Sequence, residues 1–415
     1  MRNPVEVYLK AHAQTLASRV RELIAVQTIN PPGRDYATMT ALLRRRLQEV
    51  GLDARVLVPA RALQRKVLGA EAEANPRANV LGTRPVRGAR RTLHFNAHFD
   101  VVPVGGDWKH GSPFSGAVEG GWIHGRGTAD MKGSIAALLL ALEALHATGT
   151  EPRLNLEVSF TADEETDSIL GSDWLVRHAP ISPDYAVVME GGEEDSIGCG
   201  HNGVVWLEVT VHGMASHGSR PELGVNALEK MSALVLALED YKRRISRRVF
   251  VAPDGTRRVP TINVGGEFAQ GPGGKINTVP ALARFSIDRR VLPRESVEVV
   301  ERELRTFLRT AAERIPACEI SVTKVSENHP CFSKPTSPFF KAMAGAVQSV
   351  RRRPTTFGVS SGFNDMHFFQ HHLGIPTLGY GPGGRNEHAV DERARLRDLA
   401  DCAQIYAKLM TEFAG

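Results

Sequence analysis

Two kinds of apolar spacing follow one another along the chain, and their order predicts a mixed α/β fold. Apolar residues recur at helical spacing over 5–26 and over 37–50, where Gly51 ends the pattern. Short apolar runs then alternate with an Ala- and Leu-rich helical stretch, which predicts strands at 93–96, 154–161 and 185–189 and a helix at 134–147. Strands that alternate with helices indicate a doubly wound, mostly parallel sheet.

After Gly200 the pattern changes to that of an α+β unit. Its segments predict a β-α-β-β-α-β order, with strand 204–211, helix 225–243, strands 261–268 and 281–291, helix 296–312 and strand 319–325. Helical spacing returns at 338–350, and a final helix is predicted at 396–413. The 415 residues exceed what one core usually organises. We therefore predict a discontinuous first domain, residues 1–200 and 327–415, with a second domain inserted at 201–326.

The charge of the chain raises the possibility of a nucleic-acid partner. The formal net charge is +5, and arginine clusters occur at 44–46 and 351–353. These clusters lie in helical patterns without interleaved aromatic residues, which is typical of solvated helix faces. We therefore expect no nucleic-acid partner, although the charge is compatible with small anionic substrates.

The sequence also bears on compartment and on thiol chemistry. No apolar run is long enough to span a bilayer, and residues 1–6 lack the apolar core of a secretory signal. We expect a cytoplasmic protein without a membrane partner. The four cysteines are widely spaced and form no Cys-x-x-Cys pair, so neither a disulfide framework nor a thiolate zinc site is indicated.

Histidines and carboxylates cluster where the predicted strands end. They are His98 and Asp100 after the first strand, Asp130 after Gly125-x-Gly127, and Glu164 and Glu165 after the second strand. Because the strands of an open α/β sheet end at a common edge, we expect these side chains to converge. Imidazoles and carboxylates suit zinc, cobalt or manganese. The pattern therefore predicts a hydrolytic centre for two divalent metal ions.

Structural alternatives exist for each of these residues. A lone histidine such as His98 is usually a core residue, but Asp100 points to the same side of the strand and can orient its ring. Asp130 could cap a helix that begins near Lys132. It also replaces the third glycine of a dinucleotide-binding loop, which argues against nucleotide binding. The acidic residues at 163–167 could form a solvated turn, but they follow a buried strand.

These runs, together with GMASHGSRPE at 213–222 and NEHAVDE at 386–392, resemble the motifs of the M20 metallopeptidase family. Within it they are most similar to the branch of acetylornithine deacetylase and succinyl-diaminopimelate desuccinylase. The resemblance covers nearly the whole chain and is weakest at the N-terminal end. It implies five metal ligands, which are His98, Asp130, Glu165, Glu190 and His388.

The resemblance also implies individual roles. Asp130 would bridge both metal ions and precede a cis peptide to Met131. Asp100 would orient His98, and Glu164 would be the general base that acts on a water bridging the ions. For Glu190, an alignment slip to Glu193 or Glu194 stays open. For His388, the competing histidines His367, His371 and His372 lie on a predicted helix and are expected to be structural.

The inserted domain carries three further candidates. By resemblance, His217 reaches across a dimer interface to stabilise the oxyanion, so the domain would serve as a lid and dimerisation domain in a homodimer. A surface histidine in a Gly/Ser-rich loop is the alternative. Asn277 and Arg290 match positions that hold the substrate carboxylate, with Arg289 as a possible counterpart of Arg290.

The expected activity is di-zinc hydrolysis of the amide bond of an N-acyl amino acid. An alternative is a carboxypeptidase or dipeptidase with the same metal site, which would act on short peptides. From another class, the chain could be a basic binding protein on an inactive hydrolase fold, but an intact Glu164 argues against that. Departures from the family pattern at 201–203 and 362–365 affect the identity of the acyl group rather than the metal chemistry.

Overall fold

The computed structural model describes residues 3–192, 195–270 and 275–415, and over 266–270 it describes the backbone alone. It divides into two compact units: the first comprises Met1–Cys199, Ser333–Gly358 and Asn364–Gly415, and the second comprises Gly200–Phe332 and Val359–Phe363. The chain therefore passes from the first unit to the second at 199/200 and returns at 332/333. The sequence predicted these boundaries at 200/201 and 326/327. A short return to the second unit at 359–363 was not anticipated.

In chain order, the helices are α1 (Pro4–His12), α2 (Leu16–Ala25), α3 (Tyr36–Glu49), α4 (Arg61–Leu68), α5 (Glu71–Ala74), α6 (Lys132–Thr148), α7 (Ser172–His178), α8 (Ala227–Ile245), α9 (Val297–Glu313), α10 (Pro338–Arg351), α11 (Met366–Leu373) and α12 (Leu396–Glu412). The strands are β1 (Asp53–Leu57), β2 (Asn79–Arg84), β3 (Thr92–His98), β4 (Ala117–Glu119), β5 (Trp122–His124), β6 (Asn155–Thr161), β7 (Tyr185–Val188), β8 (Ser196–His201), β9 (Gly203–His212), β10 (Phe250–Val251), β11 (Arg257–Arg258), β12 (Thr261–Gln270), β13 (Leu282–Val291), β14 (Glu319–Asn328), β15 (Cys331–Phe332), β16 (Thr356–Ser360), β17 (Thr377–Gly379), β18 (Gly384–Arg385) and β19 (Arg393–Arg395).

The large sheet of the first unit has the strand order β1-β2-β6-β3-β7-β17-β8. The four strands from β6 to β17 are parallel, and antiparallel pairs flank them on both sides. The mixed α/β class with a parallel sheet centre is therefore confirmed. Buried parallel strands need cover on both faces, which explains why β3 and β6 are buried along almost their whole length.

Helix α6 is the central helix of the first unit. Its residues are apolar on almost every side, and α1, α2 and α12 pack against it. It ends at Gly149, which has a φ of 64° that suits a residue without a Cβ. Because its first turn follows Asp130 directly, this buried helix fixes the position of the loop that carries Asp130.

A small antiparallel sheet that the sequence analysis did not anticipate has the order β18-β19-β5-β4. It joins two distant parts of the first unit, because β19 pairs with β5 from Arg393↔His124 to Arg395↔Trp122. Strand β5 leads into the loop at 125–131. The connection between β18 and β19 contains His388, so this sheet brings His388 towards the Asp130 loop.

The second unit is an antiparallel sheet of order β12-β13-β9-β14 with α8 and α9. Strands β9 and β13 pair over their whole length, from Gly203↔Val291 to His212↔Leu282. Buried side chains alternate along both strands and pack with the apolar sides of α8 and α9 in one core. Within the described residues, no helix is long and apolar enough to cross a bilayer.

Candidate metal centre

The centre lies at the carboxyl edge of the parallel strands. His98 is the last residue of β3, the turn with Glu164 and Glu165 follows β6, and Glu190 follows β7. These three strands are adjacent and parallel, in the order β6-β3-β7. Parallel neighbours end at the same edge, so the sheet alone brings these side chains together.

The loop before α6 adds Asp130 to this edge. A buried glutamate, Glu392, holds the loop, because its carboxylate accepts hydrogen bonds from the backbone N–H groups of Ala129 at 2.9 Å and Asp130 at 3.1 Å. The other oxygen of Glu392 pairs with Arg126 at 2.6 Å. The peptide between Asp130 and Met131 is cis, as expected. The capping alternative does not hold, because the side chain of Asp130 turns towards two histidines.

Asp130 lies between His98 and His388. Its Oδ1 is 2.9 Å from His98 Nε2, and its Oδ2 is 3.0 Å from His388 Nε2. His388 Nε2 is also 3.0 Å from Glu165 Oε2. One carboxylate thus faces a different histidine with each oxygen, which is the arrangement that a carboxylate shared by two metal ions needs.

Asp100 organises the neighbouring ligand atoms. Its carboxylate accepts hydrogen bonds from the backbone N–H groups of Glu164 at 3.2 Å and Glu165 at 3.3 Å. Its Oδ1 is also 3.5 Å from His98 Nδ1, while the backbone oxygen of Asp100 is 3.1 Å from the same nitrogen. Asp100 therefore fixes the ring of His98 and the turn that carries both glutamates.

Several carboxyl groups are buried close together in the site, and this shifts their pKa values. Burial raises the pKa of Glu164 well above its usual range, and the charge of Glu190 raises it further. Burial acts in the same direction on the pKa of Glu190, with Asp130 as the next cause. Hydrogen bonds to Asp130 and Glu165 raise the pKa of His388 to about 10. Such a cluster attracts positive charge, which protons or metal ions can supply.

The donor atoms fit divalent metal ions. Two groups of three side chains have ligand atoms within 4.8 Å of one another, namely His98, Glu164 and Glu165, and Asp130, Glu165 and His388. The second group is the ligand set expected for one ion. The first contains Glu164 and Glu165 beside His98, where the shared Asp130 and Glu190 were expected. Within the described residues, however, Glu190 Oε2 is buried and has no hydrogen-bond partner, so it is available as a ligand. Glu193 and Glu194 lie outside the described residues.

The competing histidines are held elsewhere. His367 Nδ1 is 2.7 Å from the backbone oxygen of Asn364, and His372 Nε2 is 3.1 Å from Asp173. Both lie on α11, as His371 does. None of these three belongs to either group of close ligand atoms in the described part of the chain.

The remaining candidates lie in the second unit. His217 and Asn277 are exposed on neighbouring segments, since His217 forms a bridge with Thr278 and the N–H of Gly218 donates to Asn277 O at 2.7 Å. Arg290 is half-buried beside Asp288 at 2.9 Å. Arg289 is fully buried and pairs with Glu295 at 3.1 Å, so it is not accessible to a substrate.

A buried set of polar residues that contacts Asp100 was not predicted from the sequence. Asn30 donates to Asp100 at 2.9 Å and to Asp163 at 3.0 Å, and Arg77 Nε lies 2.7 Å and 2.8 Å from the two oxygens of Asp163. Burial raises the pKa of Asp163 to about 6, against the effect of Arg77. The Asn-Pro-Pro-Gly run at 30–33 and the arginine two residues before β2 were the only signals in the sequence.

The chain belongs to Peptidase family M20/M25/M40, because the sequence profile of that family matches residues 94–412. It is therefore a metal-dependent hydrolase. A succinyl-diaminopimelate desuccinylase of Dinoroseobacter shibae is 29% identical over 347 residues, which cover 81% of this chain and 87% of that protein.

Solved structures share the fold. An M20 family metallo-carboxypeptidase of Sulfolobus solfataricus has a TM-score of 0.77 at 20% identity and covers 95% of this chain and 98% of its own. A dinuclear metal-binding peptidase of the M20 family from Bacillus subtilis has a TM-score of 0.71 at 15% identity, with 97% and 98% covered.

Replacing the buried arginine behind the centre tests its contribution to stability. We predict that Arg77→Met lowers the free energy of unfolding by about 3–5 kcal/mol, because the carboxylate of Asp163 stays buried without its positively charged partner. The matched control is Arg61→Met, which removes an exposed pair with Glu73 at 2.6 Å and is expected to cost less than about 1 kcal/mol. Urea unfolding of the metal-free proteins, followed by circular dichroism, measures both. Equal losses in the two variants would contradict the prediction.

Proposed function

We propose that this protein uses two divalent metal ions, zinc in the first instance, to hydrolyse the amide bond of an N-acyl amino acid. The observation that carries the proposal is the position of Asp130, which faces His98 with one oxygen and His388 with the other. A carboxylate between two imidazoles, with Glu165 beside one of them, is suited to binding two metal ions.

Each ion would have its own ligands besides the shared Asp130. His98 and Glu190 would bind the first ion, and Glu165 and His388 would bind the second. Asp100 would keep its place behind His98, since all its hydrogen bonds point to the backbone, to Asn30 or to the ring of His98. Cobalt or manganese would suit the same ligands.

Glu164 is the residue best placed to move protons. Its carboxylate lies close to His98 and Glu165, and its backbone is fixed by Asp100. The bound ions would supply an activated water of pKa near about 7 and a polarised carbonyl group. Glu164 would accept the proton of the attacking water and pass it to the departing amine nitrogen. Burial raises the pKa of Glu164, which favours proton acceptance near neutral pH.

The second unit would supply the remaining contacts. His217 is exposed on a loop and its Nδ1 is 2.8 Å from Ser219 Oγ, so Nε2 is free to face a substrate oxygen. We propose that His217 stabilises the oxyanion from the partner subunit of a homodimer, with this unit acting as lid and dimerisation domain. Asn277 and Arg290 would bind the carboxylate of the substrate.

A second candidate function is a carboxypeptidase or dipeptidase. The Sulfolobus relative in fold is a metallo-carboxypeptidase, while the relatives by sequence are desuccinylases. The sequence likeness is the stronger of the two, and it favours an N-acyl amino acid over a peptide.

A substrate panel separates the two candidates. We predict that the zinc- or cobalt-loaded protein hydrolyses one or more N-acetyl, N-succinyl, N-formyl or N-carbamoyl amino acids faster than it hydrolyses dipeptides, and that a chelator abolishes the reaction. Release of free amino groups measures both. Faster hydrolysis of dipeptides would favour the second candidate, and no hydrolysis of any amide by the metal-loaded protein would overturn the proposal.

Substitutions of the adjacent glutamates separate proton transfer from metal binding. We predict that Glu164→Ala retains both ions and loses about 10²–10⁴-fold in kcat, because the water loses its base. Glu165→Ala, the matched control one residue away, should retain only one ion. Elemental analysis and steady-state kinetics give the two readouts. Full activity in the Glu164→Ala protein would exclude its role as base.

Mixed dimers test whether the site is shared between subunits. Glu164→Ala and His217→Ala subunits are each inactive alone under the proposal, but their heterodimer contains one site with an intact Glu164 and an intact partner His217. Random exchange should therefore restore about one quarter of wild-type activity. Subunit exchange must be verified with differently tagged chains. No recovery after verified exchange would count against a site completed by the partner.

A further inference from the structure

The two faces of the central strands differ in a way that a buried parallel sheet does not require. On β3 and β6 one face carries apolar side chains such as Phe95 and Phe160. The opposite face carries a row of polar side chains, paired across the strands as His94↔Glu157, Asn96↔Ser159 and His98↔Thr161. We call the buried residues His94, Asn96, Glu157, Ser159, Thr161 and Ser172 the polar row. It leads along the sheet to the metal ligand His98.

Hydrogen bonds connect the first part of the polar row. His94 Nδ1 is 3.0 Å from Glu157 Oε2, and His94 Nε2 is 2.7 Å from Ser159 Oγ. Asn96 Nδ2 donates to the same hydroxyl at 3.0 Å. Glu157 also accepts from the backbone N–H of Ser182 at 3.1 Å. This part of the row therefore ends on a carboxylate at the amino end of the strands.

The second part of the row ends on another carboxylate, that of Asp365. Asn96 Nδ2 donates to Thr161 Oγ1 at 3.3 Å and to Ser172 Oγ at 3.2 Å. Ser172 Oγ in turn donates to Asp365 Oδ2 at 2.6 Å, and Ser168 Oγ donates to Asp365 Oδ1 at 2.5 Å. Asp365 is only 2% exposed, so both of its oxygens are held by serines away from water.

The directions of these bonds follow from the chemistry of the groups. A carboxylate only accepts hydrogen bonds, so the hydroxyl of Ser172 donates to Asp365. When Nδ1–H of His94 donates to Glu157, Nε2 is the acceptor and the hydroxyl of Ser159 donates to it. Asn96 must then donate in both directions. An amide that donates on both sides cannot pass a proton along the row, which excludes a proton wire. What the row can do is hold Ser172, and through it Asp365, in one orientation.

The two serine donors of Asp365 connect it to the segments that carry the metal centre. Ser168, its first donor, follows the turn that carries both glutamates, and the backbone N–H of Ser168 donates to Asp163 O at 2.7 Å. Ser172, its second donor, also lies 3.1 Å from Thr161, the cross-strand partner of His98.

We propose that Asp365 is a positioning residue of the metal centre, an additional buried acid that strengthens the binding of divalent ions without being a ligand, and that Ser172 and Asn96 hold it in place. Burial of so many polar groups on a sheet face costs free energy that apolar side chains would avoid. A buried carboxylate joined through Ser168 and Ser172 to the segments that carry the ligands would give this face a function, because outer partners of a metal site contribute about 10–100-fold in metal affinity. The inference rests on the proposed two-metal site.

Cobalt titration of the metal-free full-length chain tests the proposal. Asp365→Asn keeps the shape of the side chain and removes its charge, and we expect the Kd for cobalt to rise about 10–100-fold with an unchanged number of ions bound. Ser172→Ala and Asn96→Leu should shift the Kd in the same direction by less. Thr40→Val is the matched control: it removes a buried hydroxyl that donates within α3, at 2.9 Å, and should leave the Kd unchanged.

Two more readouts exclude a merely structural role. The visible spectrum of bound cobalt should keep its band positions in Asp365→Asn, since the ligands stay the same. The metal-free Ser172→Ala protein should have a thermal midpoint no lower than that of the metal-free Thr40→Val protein. An unchanged Kd in Asp365→Asn, or a new spectrum with one ion fewer, would overturn the proposal. Failure of the wild-type chain to bind cobalt would instead refute the two-metal site itself.

Discussion

The constraint on which the rest of the structure depends is the burial of several carboxylates at one edge of the sheet. Glu164, Glu165 and Glu190 meet there around Asp130, and burial raises the pKa of each of these glutamates. Only positive charge can relieve this repulsion. Hydrogen bonds to Asp130 and Glu165 raise the pKa of His388 to about 10, which shows how strongly these acids favour a positive charge next to them. The same contacts that keep protons on the histidines define where cations would bind.

Much of the first unit serves to hold these acids in place. Asp100 fixes the backbone of the two glutamates, Glu392 fixes the loop of Asp130, and Arg77 fixes Asp163 directly before the glutamates. Each of these is a buried charged group whose own partners are backbone groups, the amide of Asn30 or a side chain of opposite charge. Burying these groups costs desolvation free energy, but they hold the mutually repelling carboxylates in place.

The sequence predicts the parts of this arrangement that are local. The strand predicted at 93–96 and the helix predicted at 134–147 lie within β3 and α6, and both follow from apolar spacing, as the acids at the strand ends follow from short motifs. The small sheet of β4, β5, β18 and β19 was missed, because its strands are two or three residues long and have no periodicity to detect. The contacts of Arg77 with Asp163, of Glu392 with the Asp130 loop and of Asp365 with Ser168 and Ser172 were missed for a related reason. In each case the partners lie far apart along the chain, and only the tertiary fold brings them together.

The candidate residues of the two units differ in how firmly the fold holds them. The acids and histidines of the first unit are buried or held by several hydrogen bonds each, as a centre that must not relax on losing or gaining charge requires. His217 and Asn277 of the second unit are exposed and have few partners, as suits residues that contact a substrate and release it. Arg289 and Arg290 show the same distinction within one strand, since the buried arginine is bound to Glu295 and the neighbouring one stays accessible. The candidate metal ligands are therefore held firmly by the fold, whereas the residues proposed to contact the substrate are left exposed or half-buried.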